Sequence, residues 1–412
     1  MQYTLSNDNF EVIVDSKGCE IVSVIRKSDN KQYIWSGQPD IWKRHTPVLF
    51  PLVGRYKNDT SIYEGKEYHM TQHGFARDME FSLVMKDNSA VVMKLESDEN
   101  TKAVYPFDFE LKITHRLADN NVITIWEVVN KDNKEMYFSI GGHPAFVCGE
   151  NAIGAQVRFE TKENGIQYHL LSKDGLVQPD IHYMPITNKN VTLTENFFDK
   201  DAYIIENSDI KCVSLCKDCK PVVEVIFDTP VFGLWSSAGK GVPFVCIEPW
   251  YGRADAADFN CRLTDREWGN KLAVGKVFSG GYRGYFLEYI VVSFVVAAFV
   301  VIIYEVISSR KLHRIIKAMP SIILAYVLAA VFGVIVNAGI GQMLSYVPDT
   351  SKVKYVKMSI VNDNMFNGYS DEKDYFEDIL GRLKITDEEV IKLVADSIED
   401  NLQNFTGRLC SM

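Results

Sequence analysis

Positive charge is scarce in this chain. Across 412 residues, 44 Lys and Arg face 54 Asp and Glu, a net charge of -10. No basic patch occurs before residue 308, so nucleic acid is excluded as an expected partner. Cysteine is too scattered for a disulfide framework. Seven of the eight lie before residue 262, an odd number that suits a reduced, cytosolic domain. The opening Met-Gln-Tyr-Thr-Leu-Ser-Asn-Asp-Asn-Phe has neither a basic n-region nor an apolar h-region, so nothing there is expected to direct export. A Walker motif is missing, which excludes ATP hydrolysis by this chain alone. Sustained 3.6-residue periodicity is missing from residues 1–283, which argues against a helical bundle.

What residues 1–283 do contain is short apolar or alternating runs of strand length, at 10–14, 20–26, 90–95, 109–115, 122–128, 136–140, 213–216 and 222–227. Turn signals such as Glu64-Gly65 and Asp119-Asn120-Asn121 separate such runs. The pattern predicts an all-β fold, a large antiparallel β-sandwich. All six tryptophans fall in this part. Aromatic rings can stack on sugar faces, but core packing is their commoner job.

After Gly284 the composition changes. Residues 285–307 are apolar apart from Glu288 and Glu305, and 321–347 carry no charge. Both are long enough to span a bilayer, and we expect two transmembrane helices. The loop between them holds Arg310, Lys311, Arg314 and Lys317, a bias toward the cytoplasmic side. Residues 353–360 alternate like a strand, and Thr386-Asp-Glu-Glu389 is a capping box opening an amphipathic helix. The expected organisation is therefore a sandwich over 1–283, a transmembrane hairpin over 284–347 and a small α/β tail over 348–412. A cytoplasmic loop would place the sandwich outside, against its unpaired cysteines. Either the hairpin is inverted and the sandwich is cytoplasmic at the membrane, or the tail was joined from a longer membrane protein.

Two titratable groups stand out. His143 lies in Ser-Ile-Gly-Gly-His-Pro-Ala-Phe at 139–146, and Glu248 in Phe-Val-Cys-Ile-Glu-Pro-Trp-Tyr-Gly-Arg at 244–253. Each ends an apolar run before a proline, so both are expected at strand ends, as a base and an acid able to move protons. The bland alternatives are a structural histidine and a solvated strand terminus. Glu248 with Asp201 could form a glycosidase carboxylate pair, but that chemistry needs no histidine. Cys212, Cys216 and Cys219 suggest a metal knuckle. They lack a second matching pair, so an ordinary hairpin bearing thiols is expected and no metal is assigned.

Several separated motifs resemble the aldose 1-epimerase (galactose mutarotase) family, in its LacX-like branch, over about residues 1–280. They are Trp-Lys-Arg-His-Thr-Pro-Val-Leu-Phe-Pro-Leu-Val-Gly-Arg at 42–55, His-Gly-Phe-Ala-Arg at 73–77, Tyr-Pro-Phe-Asp-Phe at 105–109, and the His143 and Glu248 runs. The resemblance implies a galactose mutarotase-like sandwich acting on a free hexose without a cofactor. It implies Glu248 as general base and His143 as general acid. Arg55 and His73 would bind the substrate, with Asp201 in Asp-Lys-Asp-Ala-Tyr-Ile as a further hydroxyl ligand and Asp199 its rival. Mutarotation takes the proton from the C1 hydroxyl and delivers one to the ring oxygen, so a carboxylate and an imidazolium suit the two steps. Glu248 is expected to help keep His143 charged. A sugar-phosphate substrate would need extra basic residues at the rim. The resemblance also implies a closing strand after Phe278, where Gly280-Gly-Tyr-Arg-Gly284 instead leads toward the apolar run, so that strand is expected to be missing. The tail resembles part of a bacterial ABC-transporter permease. The other function to weigh is therefore a sugar-binding module on a membrane transporter.

Overall fold

The computed structural model describes residues 1–217, 220–238 and 242–286. The alternating runs form strands, most within a few residues of expectation: Phe10–Asp15, Glu20–Arg26, Ala90–Glu96, Phe109–Ala118, Asn121–Asn130, Cys212–Lys217 and Lys220–Phe227. The expected strand at 136–140 is divided into Met136–Phe138 and Ile140–Gly142. Turn residues act as the sequence suggests. Tyr63 pairs with Lys66 around Glu64-Gly65, both at positive φ, the two-residue connection whose twist suits a hairpin. Among the described residues only Glu99–Val104 is α-helical, opened by a capping box between Asp98 and Thr101.

Two sheets dominate. The larger has nine strands. Its centre runs Cys212–Lys217, Lys220–Phe227, Val277–Phe286, Asn121–Asn130, Phe109–Ala118 and Ala90–Glu96. The second has six strands: Tyr203–Glu206, Val231–Trp235, Phe244–Tyr251, Ile140–Gly142 and Val48–Leu49 in order, with Ala145–Val147 also paired to Phe244–Tyr251. The main core includes Ile113, Trp126, Val128, Val223 and Val225 from the larger sheet and Ile205, Phe232, Leu234, Val245 and Ile247 from the smaller. This is the sandwich. Strand alternation then sends Cys246, Glu248 and Trp250 to the other face of the smaller sheet. Cys246 and Trp250 accordingly belong to two smaller apolar clusters, separate from the main core.

The closing strand is present, which corrects the expectation that it is missing. Val277–Phe286 pairs with Asn121–Asn130 on one side and Lys220–Phe227 on the other. Glycine is depleted in strands because it packs nothing, but here the neighbours require it. A Cβ on Gly281 would lie 2.1 Å from the Thr124 carbonyl oxygen, and one on Gly280 would lie 2.5 Å from the Tyr251 ring. Tyr285 and Phe286, expected to open the first apolar span, end this strand. The rest of both spans, the basic loop and the 348–412 tail lie outside the described residues. Among the described residues no helix is long and apolar enough to cross a membrane.

Candidate active site

Register explains how the two titratable groups meet. Phe244–Tyr251 pairs with Ile140–Gly142 through Ile140↔Tyr251 and Gly141↔Trp250, and with Ala145–Val147 through Ala145↔Cys246. Carrying the same register through the gap sets His143 opposite Glu248, with Pro144 and Pro249 beside them. Proline cannot donate to a ladder, and the ladder opens here. His143 Nε2 lies 3.3 Å from Glu248 Oε2, with both side chains buried. Glu248 is therefore inside its strand, not at the strand end the sequence suggested. Gly141 and Gly142 are also strand residues. A Cβ on Gly141 would meet Trp250 at 2.4 Å, and one on Gly142 would meet Tyr282 at 2.9 Å.

Aromatic rings wall this pair. Trp42 stacks on the His143 ring at 4.9 Å, while Trp235 meets it edge-on at 5.4 Å. His73 approaches His143 with ring centroids 5.7 Å apart. A reciprocal clamp holds His73: its backbone N–H donates to the Gly54 carbonyl at 2.7 Å, and the Gly54 N–H donates to its Nδ1 at 3.1 Å. Nδ1 must accept, so the proton of the neutral ring sits on Nε2. Gly54 has φ +72°, and any Cβ there would strike Ala254.

Arg55 follows directly, its Nε 3.3 Å from Asp59 Oδ1 and its side chain 37% exposed. A buried network fixes the segments that carry these residues. Arg266 donates from Nε to Asp255 Oδ1 at 2.7 Å, from Nη1 to Ser139 Oγ at 3.2 Å and from Nη2 to the Arg253 carbonyl at 2.6 Å. Asp255 Oδ2 accepts from the Lys57 N–H, the Asp255 N–H donates to the Arg55 carbonyl, and Ser139 Oγ accepts from the Val53 N–H. One ion pair thus ties the Arg55 segment to the start of the His143 run.

Burial controls the charges. It lowers the His143 pKa to about 3, with the positive charges of Arg77 and Arg44 acting the same way. It holds the Glu248 carboxyl well above its usual range, and the negative charge of Asp201 adds to this. The pair therefore rests as a carboxylic acid beside a neutral imidazole. This corrects the expectation that Glu248 keeps His143 charged: burial is the largest influence on the imidazole, and the charges that act on it are those of Arg77 and Arg44. His73 is likewise held well below its usual value by burial, then by His143, Arg77, Arg44 and Arg55. Of the two rival aspartates, Asp201 acts on Glu248, whereas Asp199 acts on Tyr203.

All five residues singled out from the sequence are thus linked by contact or charge, Asp201 from an exposed turn at φ 70°. Trp42, Trp235, Arg44, Arg77 and Cys246 were not singled out for the site. Arg44 and Arg77 lay within quoted motifs, but nothing in sequence order shows that they converge on His143. Cys212 and Cys216 share one strand of the 212–227 hairpin, while Cys219 lies outside the described residues. The metal-capable group among the described residues is instead His143, Cys246 and Glu248.

Comparison with known proteins covers the sandwich. The Aldose 1-epimerase family model matches residues 1–207. Protein LacX (plasmid) of Lactococcus lactis subsp. lactis is 28% identical over 279 residues, 65% of this chain and 93% of that protein. A galactose mutarotase related enzyme from Lactobacillus acidophilus is 36% identical, with a TM-score of 0.66 over 70% of this chain and 98% of that one. A galactose mutarotase-like protein from Lactobacillus casei ATCC 334 is 28% identical, with a TM-score of 0.67 over 70% of this chain and 100% of that one. These matches bear on the sandwich and give no support to the permease resemblance of the tail. On the family match and the 36% identity, the chain belongs to the aldose 1-epimerase family.

Proposed function

We propose that the protein interconverts the α and β anomers of a free hexose, with Glu248 as the base at the C1 hydroxyl and His143 as the acid at the ring oxygen. The observation that carries this is the buried, side-by-side placement of His143 and Glu248 at 3.3 Å. The two oxygens they serve are bonded to one carbon, so their partners must be neighbours. A glycosidase instead needs carboxyls about 5 Å or more apart to straddle the scissile bond.

Ring opening starts once the shared proton has passed from Glu248 to His143 across their 3.3 Å gap, giving carboxylate and imidazolium. Glu248 takes the hydroxyl proton and His143 gives one to the ring oxygen, leaving carboxylic acid and neutral imidazole. That product state is the resting form burial favours. Closure on the other face of the aldehyde runs both transfers backward. One proton on the pair serves the whole cycle, and burial keeps a second from joining it or the first from leaving. His73 Nε2–H donates to a sugar oxygen, and Arg55 and Asp201 hold further hydroxyls. Positioned acid/base groups of this kind contribute about 10² to 10⁴ each. Polarimetry on freshly dissolved α-D-galactose and α-D-glucose tests the assignment. Folded protein that binds sugar without accelerating relaxation would favour the sugar-binding alternative.

A phosphorylated hexose is a second reading within the same chemistry. Arg44 and Arg77 both act on His143 and His73; Arg44 donates to the Asp78 carboxylate and Arg77 Nε lies 3.8 Å from it, so a phosphate would share them with Asp78 or displace it. The two arginines supply basic groups of the kind such a substrate requires. Comparing hexose with hexose 6-phosphate decides it: on this reading Arg77→Gln raises KM for the phosphorylated sugar alone, and equal effects on both sugars would refute it.

A further inference from the structure

Among the described residues one group of three side chains has the donor types and spacing for a metal ion. A ligand atom each from His143, Cys246 and Glu248 lies within 4.8 Å of the others, and all three residues are buried. Cys246 and Glu248 are two residues apart on one strand and share its face. His143 enters from the gap between the adjoining strands Ile140–Gly142 and Ala145–Val147, opposite Glu248. Cys246 pairs in register with Ala145 on one side and Trp235 on the other, so its cross-strand neighbours are a methyl group and the indole that also meets the His143 ring.

We propose that this trio is an inhibitory site for a thiophilic divalent cation, zinc or its spectroscopic substitute cadmium, which occupies the acid/base pair and shuts the sugar out. Tetrahedral zinc with sulfur at about 2.3 Å and nitrogen or oxygen at about 2.0–2.2 Å needs its ligand atoms about 3.3–3.6 Å apart. The His143–Glu248 pair already stands at 3.3 Å, so the main adjustment is the approach of the thiol. Glu248 Oε2, the oxygen facing His143 Nε2, is buried and has no hydrogen-bond partner among the described residues.

The mixed donor set of thiolate, imidazole and carboxylate selects zinc-like ions over magnesium or calcium, which prefer oxygen. The fourth position is left for water. This differs from a resident zinc site. His143 Nδ1 finds no acceptor to orient the ring, the outer support that resident sites carry. Binding must also strip protons: the Cys246 thiol becomes thiolate and the Glu248 carboxyl becomes carboxylate, releasing two protons while neutral His143 supplies a lone pair. Affinity therefore rises with pH. Burial holds the Cys246 thiol well above its usual value, which restrains affinity near neutrality.

The inhibition rests on the proposed epimerase activity, but the binding does not, so the test reads both. Cys212, Cys216 and Cys219 are first changed to serine in the full chain, and cadmium is titrated while the ultraviolet cadmium–thiolate band is followed. One equivalent should generate the band, and adding Cys246→Ala should abolish it. In parallel, zinc inhibition of galactose mutarotation should be competitive with sugar, and Cys246→Ala should raise the half-inhibitory zinc concentration at least about 10-fold. Should Cys246→Ala fail to fold, Cys246→Ser keeps the volume while removing the soft ligand. A band that survives either folded variant undiminished would overturn the site. Binding with unchanged zinc sensitivity in the variant would overturn the inhibitory role.

Discussion

His143 faces Glu248 across a gap in the six-stranded sheet, at the position the register on both sides assigns to it, with Nε2 and Oε2 3.3 Å apart. The shared gap makes the pair a single titrating unit. Burial moves the histidine down to about 3 and the glutamate up, so the one-proton form spans the range in which either group alone would titrate. Mutarotase activity should accordingly show no inflection from an imidazole titrating near its ordinary value of about 6.5, because His143 is displaced to about 3. A pH series of kcat/KM showing a single inflection near 6.5 would contradict this protonation scheme.

Removing one partner of the Asp255–Arg266 pair leaves a buried charge uncompensated, which costs about 3–5 kcal/mol. Asp255→Asn should therefore lower the denaturation midpoint sharply. It should also raise KM, because Asp255 and Arg266 position the Arg55 and Ser139 segments. Denaturant unfolding beside steady-state kinetics checks both, and a variant as stable as the parent would remove the network from the account.

On the proposed reading His73 meets substrate only through Nε2–H, because Nδ1 is engaged by the Gly54 N–H. Loss of one neutral hydrogen bond is worth about 0.5–1.5 kcal/mol. His73→Phe should thus raise KM up to about 10-fold with a smaller effect on kcat. A kcat loss comparable to that of Glu248→Gln would place His73 in the proton transfers instead.

Acid should destabilise the sandwich through a histidine remote from the site. His115 is fully buried, its Nε2 2.8 Å from the Cys19 carbonyl and its Nδ1 3.0 Å from Thr124 Oγ1, and burial lowers its pKa to about 4. Below about 6.5 the unfolded chain takes up a proton that the folded ring refuses, so stability falls as pH drops from 6.5 toward 4. The slope reaches about 1.4 kcal/mol per pH unit for one group. His115→Gln should lessen the slope by one group's share, since His73 and His143 are also held below their usual values and act in the same sense, as seen in urea midpoints at pH 7, 6 and 5. An unchanged slope would assign acid sensitivity elsewhere.

Alternation made most strands legible, and the resemblance brought His143, Glu248, Arg55, His73 and Asp201 together as candidates. Pro249 misled because proline usually ends a strand; here it occupies a gap that only the register reveals. Gly280-Gly-Tyr-Arg-Gly284 misled in the opposite direction. Its strand character comes from the Thr124 backbone and the Tyr251 ring crowding it, contacts with no local signature. The charge state of His143 was misjudged because nearness to a carboxylate can be guessed from sequence, whereas the burial that governs the imidazole comes from Trp42, Trp235 and the sheet. Cys246 read as one more apolar position until the fold set it beside the pair.

The most direct test of the central claim is polarimetry of α-D-galactose relaxation with the full chain, beside Glu248→Gln and His143→Asn variants shown to be folded by circular dichroism. The account predicts acceleration by the parent and a fall of about 10² to 10⁴ in each single variant, with the double variant little worse than either because the two groups act as a unit. Acceleration retained in either single variant would contradict it.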